Sequence, residues 1–91
     1  MPRATSEFLT LFLRAESDLR AFVGALIRDP EVREDVFQEV AVTLWDNFER
    51  FDPERGAFGA WARGIAAKKI LQSRRKTGQL PVAFPPETIE K

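Results

Sequence analysis

Phe51-Asp52-Pro53-Glu54-Arg55-Gly56-Ala57-Phe58 is the stretch on which the reading of this chain turns. Pro53 fixes φ and Gly56 permits a positive one, so the segment reads as a tight turn between two helices. It also marks a reversal of charge. Residues 31–54 carry eight acids against two bases, a net of −6, whereas residues 55–76 carry seven bases and no acid. The formal net charge of zero therefore conceals a dipolar chain with two surfaces of opposite sign.

Working outward from the turn, residues of about 30–50 have helical period. At about 100° per residue, Val32, Val36, Phe37, Val40, Leu44 and Phe48 fall within one half of the wheel and define its core face. Asp29 suits the cap before this helix and Pro30 its first position. An earlier helix is expected over about 6–28, where Phe8, Leu11, Phe12, Ala15, Leu19, Phe22, Val23, Leu26 and Ile27 recur at three- and four-residue steps. A later one is expected over about 57–76, burying Phe58, Trp61, Ala62 and Ile65. Gly59 and Gly64 lower its propensity by about 1 kcal/mol each, which suggests close approach of a helix or a ligand there. Gly78 would end it, and Pro81, Pro85 and Pro86 exclude regular helix beyond. The expected organisation is a helical domain over 1–78 and a proline-rich linker or tail over 79–91, the latter suggesting a longer parent protein. No segment alternates like a strand. The fold class is all-α, a compact bundle of three main helices, or four if one of them breaks.

Composition narrows the function. Ninety-one residues make one domain with a modest core. Without cysteine there is no disulfide, thiolate nucleophile or zinc knuckle, and without histidine the commonest metal ligand and general base are missing. The many carboxylates show no local pairing that picks out an acid/base site. No phosphate-loop pattern is present. An enzyme, a metal site and a bound cofactor are accordingly not expected. No apolar run approaches a membrane span and no signal-peptide pattern opens the chain, so a cytoplasmic location without membrane association is expected.

Two faces carry what remains. On the far side of the second helix, Asp35, Gln38, Glu39, Val42 and Asp46 lie within roughly a 100° arc. A solvated stripe would look the same but for Val42, an apolar side chain ringed by polar ones, as in a small interface core. Such a face suits an arginine-rich partner helix. The turn and third helix interleave Phe51, Phe58 and Trp61 with Arg55, Arg63, Lys68 and Lys69. That mixture suits single-stranded nucleic acid, with cations along phosphates and flat surfaces for unstacked bases. The competing reading makes Phe58 and Trp61 core residues and the cations a solvated helix end.

In order, Asp35-Val36-Phe37-Gln38-Glu39-Val40, Phe51-Asp52, Gly56-Ala57-Phe58, Trp61-Ala62-Arg63-Gly64-Ile65-Ala66 and Arg74-Arg75-Lys76 resemble region 2 of a bacterial sigma factor. The likeness is to the extracytoplasmic-function (ECF) group of the sigma-70 family and covers roughly residues 8–76. It implies a transcription initiation factor domain that binds core RNA polymerase and recognises and melts the minus-ten promoter element. The helix with Asp35, Gln38, Glu39 and Val42 would dock on the β′ clamp helices. Arg55, Gly56, Ala57 and Phe58 would shape a pocket for a flipped base of the non-template strand. Arg63, Lys68, Lys69 and Arg75 would contact DNA, and Trp61 would serve mainly core packing. An anti-sigma factor is a further partner the resemblance allows, and a monomer is expected in isolation.

The chain departs from the family pattern in two ways. Where the family often has Arg-Asn and then Asp, this sequence has Ala67, Lys68 and Gln72, so an amide that could read a base edge is replaced by a cation. No counterpart of the family's minus-35-reading helix-turn-helix domain is present, as in an excised domain or a reduced relative. The rival readings are a helical protein–protein interaction module without DNA-binding activity, and an RNA-binding helical domain.

Overall fold

Asp29 and Pro30 set the first boundary. The computed structural model describes residues 3–76, with α1 over Arg3–Leu26 and α2 over Pro30–Asp46. Asp29 is extended at φ −71°, ψ 119°, and its Oδ1 accepts the Glu31 amide at 2.9 Å. Such a cap contributes about 1 kcal/mol. Pro30 needs no amide partner at the first position and biases the residue before it away from helical geometry. That extended approach leaves α1 two residues shorter than expected at its end, while it starts three residues earlier than expected.

α2 stops four residues before its expected end, and Asn47 is the reason. Its backbone amide and its side-chain Nδ2 both donate to the Thr43 carbonyl, at 3.1 and 2.8 Å. A side chain sharing that acceptor loosens the helical ladder. The chain tightens instead into a 3₁₀ turn, Phe48–Arg50. Residues three apart eclipse in such a turn, and the Phe48 and Phe51 rings stack, 6.1 Å apart and 16° from parallel.

The following turn is closed by Asp52. Its Oδ1 accepts the Glu54 amide at 2.9 Å and its carbonyl accepts the Arg55 amide at 3.0 Å. Gly56 does not use a positive φ, and a Cβ there would meet nothing within 4 Å. The expected role of Gly56 thus passes to Asp52 and Pro53, which shape the turn without it. α3 then runs over Phe58–Lys76.

One core joins the three helices. α1 contributes Phe8, Leu19 and Val23, with Ile27 just beyond its end, α2 contributes Val36, Phe37, Val40 and Leu44, and α3 contributes Phe58, Ala62, Ala66 and Ile70. Leu19 and Leu44 are fully enclosed; each such side chain contributes about 1.5–3 kcal/mol. Trp61 and Ile65, expected inside, only flank this core. The four-residue steps from Phe58 to Ile70 advance by about 40° each, so the buried stripe winds onto Ala66 and Ile70. Ala62 and Ala66 are small enough to let α3 lie close against both other helices. Gly59 and Gly64 admit no helix: the nearest atom to a Cβ at Gly59 is Arg63 Nη1 at 3.5 Å, and Gly64 faces open space.

Directions follow from contacts at the two ends. Phe8 meets Trp45 and Phe48 with centroids 5.3 Å away and Phe58 at 6.1 Å. At the far end Arg74 donates to the Leu26 carbonyl, and Arg20 bridges to Glu34 at 3.2 Å. α1 and α3 therefore run parallel, with α2 antiparallel to both. Among the described residues no strand occurs. The expected end at Gly78 and the tail over 79–91 lie outside the described residues.

Candidate functional site

Among the described residues no polar or charged side chain is buried, and no group of three acids, histidines or cysteines could hold a metal ion. No described helix is long and apolar enough to cross a membrane.

On α2, Asp35, Gln38, Glu39, Val42 and Asp46 are all exposed. Val42 leaves 59% of its surface in water. Sequence reasoning misses its companion Trp45, three residues on, which is 45% exposed although its ring packs edge-on against Phe8. The spacing of Val42 and Trp45 is the available signal. Beside this stripe, Arg20 lies 4.1 Å from the Phe37 ring centroid and joins Glu16 and Glu34, each at 3.2 Å. Hydrogen bonds to Glu16 first, then Glu34, raise its already high pKa. This clasp ties α1 to α2 and consumes two of the acids near the acidic face.

The basic side is less tightly gathered. Arg55 is well exposed, with its Nε 3.8 Å from Asp52 Oδ2, and Gly56 and Ala57 are exposed beside it. Phe58 is only 6% exposed, its ring enclosed by Phe8, Phe48, Phe51 and Trp61. It supports the turn from beneath and offers no free ring face. The half-buried pair Phe51 and Trp61, with centroids 5.1 Å apart, is the aromatic surface nearest the turn. Along α3, Lys68 and Arg75 are exposed and seven residues apart, hence about 20° apart on the wheel. Arg63 is exposed about 140° from Lys68, folded near Gly59, and Lys69 is half-buried toward the core side. The fold thus brings Lys68 and Arg75 to one face and leaves Arg63 and Lys69 off it. In the sequence Arg74 is simply one member of a basic run, with no signal of its bond to α1.

These faces sit inside a segment of known type. The family model described as sigma-70 region 2 matches residues 11–79, which includes all of α2, the turn and α3. The chain belongs to the sigma-70 region 2 family. It is a sigma-factor domain, from a family of transcription initiation factors rather than enzymes. Similar curated proteins are the ECF RNA polymerase sigma factor SigK of Mycobacterium sp. strain KMS and its counterpart in strain JLS. Each is 26% identical over 73 residues, covering 80% of this chain and 38% of the relative. The chain therefore spans about two-fifths of the length of these relatives. No solved structure matches significantly.

Proposed function

We propose that this domain holds core RNA polymerase through α2 and engages the opened minus-ten promoter strand through the turn and α3. The observation that carries the reading is the family match over residues 11–79, a span that takes in both faces. Physical chemistry supports each half. Asp35, Gln38, Glu39 and Val42 are exposed on one arc, as a partner helix bearing arginines would require. On the other side, unstacking duplex costs a few kcal/mol per step, and capture of an extruded base returns about 1–3 kcal/mol. Arg55, Gly56 and Ala57 line the accessible side of the turn, above the buried Phe58. Phe51 and Trp61 are the rings available for stacking, and Lys68 with Arg75 would track phosphates with a salt-sensitive contribution. Arg63, about 140° from Lys68 around α3, and the half-buried Lys69 lie off that track. An anti-sigma factor that competes for these faces would regulate both activities.

The test is a pull-down of the 91-residue chain with bacterial core RNA polymerase, with and without single-stranded minus-ten promoter fragments. Retention on polymerase with strand capture supports the reading. Retention without any effect of the promoter strand favours a protein-interaction module. Equal capture of RNA and DNA of matched sequence favours the RNA-binding alternative.

A further inference from the structure

Pro30 leaves α1 one donor short. In a helix that continued, the Leu26 carbonyl would accept the backbone amide four places on, and proline has none to give. α1 ends at Leu26 with that oxygen among its orphan carbonyls. Arg74, forty-eight positions along the chain, supplies the donor: its Nη2 hydrogen-bonds the Leu26 oxygen from the last turn of α3. A guanidinium at the C-terminal end of a helix is also favoured by the helix dipole. The same bond secures α3 where the core no longer does. The last buried residue of α3 is Ile70, yet the helix runs on to Lys76. Side chains at 71–75 are half-buried or exposed, and a helix end with so little apolar packing frays. Arg75 belongs to this stretch, exposed and about 20° around α3 from Lys68. Arg74 is half-buried, about 100° from Arg75, and engaged with α1. Adjacent members of one basic run therefore face different partners.

We propose that Arg74 is a positioning residue: by capping α1 it pins the last turn of α3 and keeps Arg75 on the cationic track with Lys68. The proposal rests on the strand-binding reading and gives Arg74 no phosphate of its own. A pinned Arg75 meets its phosphate without the entropic cost of first ordering the helix end. Pro30, which opens α2, thus acts at a distance on the nucleic-acid face by leaving the carbonyl that Arg74 takes up.

The experiment titrates the full 91-residue chain against a labelled single-stranded minus-ten promoter fragment over a range of salt. Wild type is compared with Arg74→Ala, Arg75→Ala and the double variant, with circular dichroism establishing that each is folded. Each single variant is expected to weaken binding about fivefold and to flatten the logarithmic salt slope by about 0.7, as for one phosphate released. The double variant should lose no more than either single one, because both changes remove the same contact. In the protein alone, amide hydrogen exchange should quicken over residues 71–76 in Arg74→Ala and stay as in wild type in Arg75→Ala. Additive losses, with a slope flatter by about 1.4 in the double variant, place Arg74 on a phosphate itself and overturn the proposal. An unchanged slope in Arg74→Ala beside a flattened one in Arg75→Ala also overturns it, while the strand-binding reading stands. Unaltered exchange over 71–76 in Arg74→Ala removes the pinning and has the same result. A wild type that captures no strand overturns the strand-binding reading, and the proposal with it.

Discussion

The outer face of α2 and the outer surface of α3 start from similar sequence, each a short helix crowded with charge of one sign, and end as different surfaces. Of the five acids on α2, Asp35, Glu39 and Asp46 fall within about 40° of one another, beside Val42. On α3 the cations at 63, 68 and 75 are spaced so that only the last two coincide. Charge density along the chain is thus a poor guide to charge density in space. α2 presents a single patch with an apolar centre, whereas α3 presents a narrow cationic track and an outlying arginine. The first resembles a protein-docking surface, and the second suits an extended polyanion.

The broadest way to break this contrast is through the core both faces share. Leu44→Ala is expected to destabilise the domain by about 2–5 kcal/mol, read as a lowered urea midpoint. Polymerase and DNA binding should fall together in that variant, in proportion to the unfolded fraction. Next in size is the reversal of charge on α2. Asp35→Arg/Glu39→Arg should reduce polymerase capture at least tenfold, or more than about 1.4 kcal/mol. The urea midpoint should barely move, because surface substitutions rarely exceed about 0.5 kcal/mol.

The contrast within α3 gives a subtler pair. Lys68→Ala/Arg75→Ala should flatten the salt dependence of single-strand binding by about 0.7 in logarithmic slope for each phosphate no longer neutralised. Arg63→Ala should change that slope less than either member of the pair, and a larger change would move the track to the Arg63 side. The smallest effect lies outside both faces: Asp29→Ala should cost about 1 kcal/mol of stability through loss of the α2 cap, with binding by the folded fraction unaltered.

What is legible in the sequence follows from the range over which each feature is decided. The start of α2 is readable because Asp29 and Pro30 act on adjacent residues. Its end is not, since Asn47 competes for a carbonyl within the helix and diverts the chain into a 3₁₀ turn. The acidic arc is recovered because it lies on one regular helix. Trp45 escapes notice, being half in the core against Phe8 and half in water. Leu9 and Leu13 are exposed on α1, outside the apolar positions that define its core period. On α3, the i, i+3 spacing of Phe58 and Trp61 reads more readily as core than as a base pocket, and neighbouring rings enclose Phe58. Tertiary contacts such as Arg74 with Leu26 have no local signature at all.

The most direct measurement is a side-by-side titration of Asp35→Arg/Glu39→Arg and Lys68→Ala/Arg75→Ala against core RNA polymerase and, separately, against a promoter single strand. The account predicts separable losses: the first variant fails on polymerase while keeping the strand, and the second keeps polymerase while losing strand affinity and salt dependence. Parallel losses of both activities in either folded variant would contradict the assignment of two independent faces.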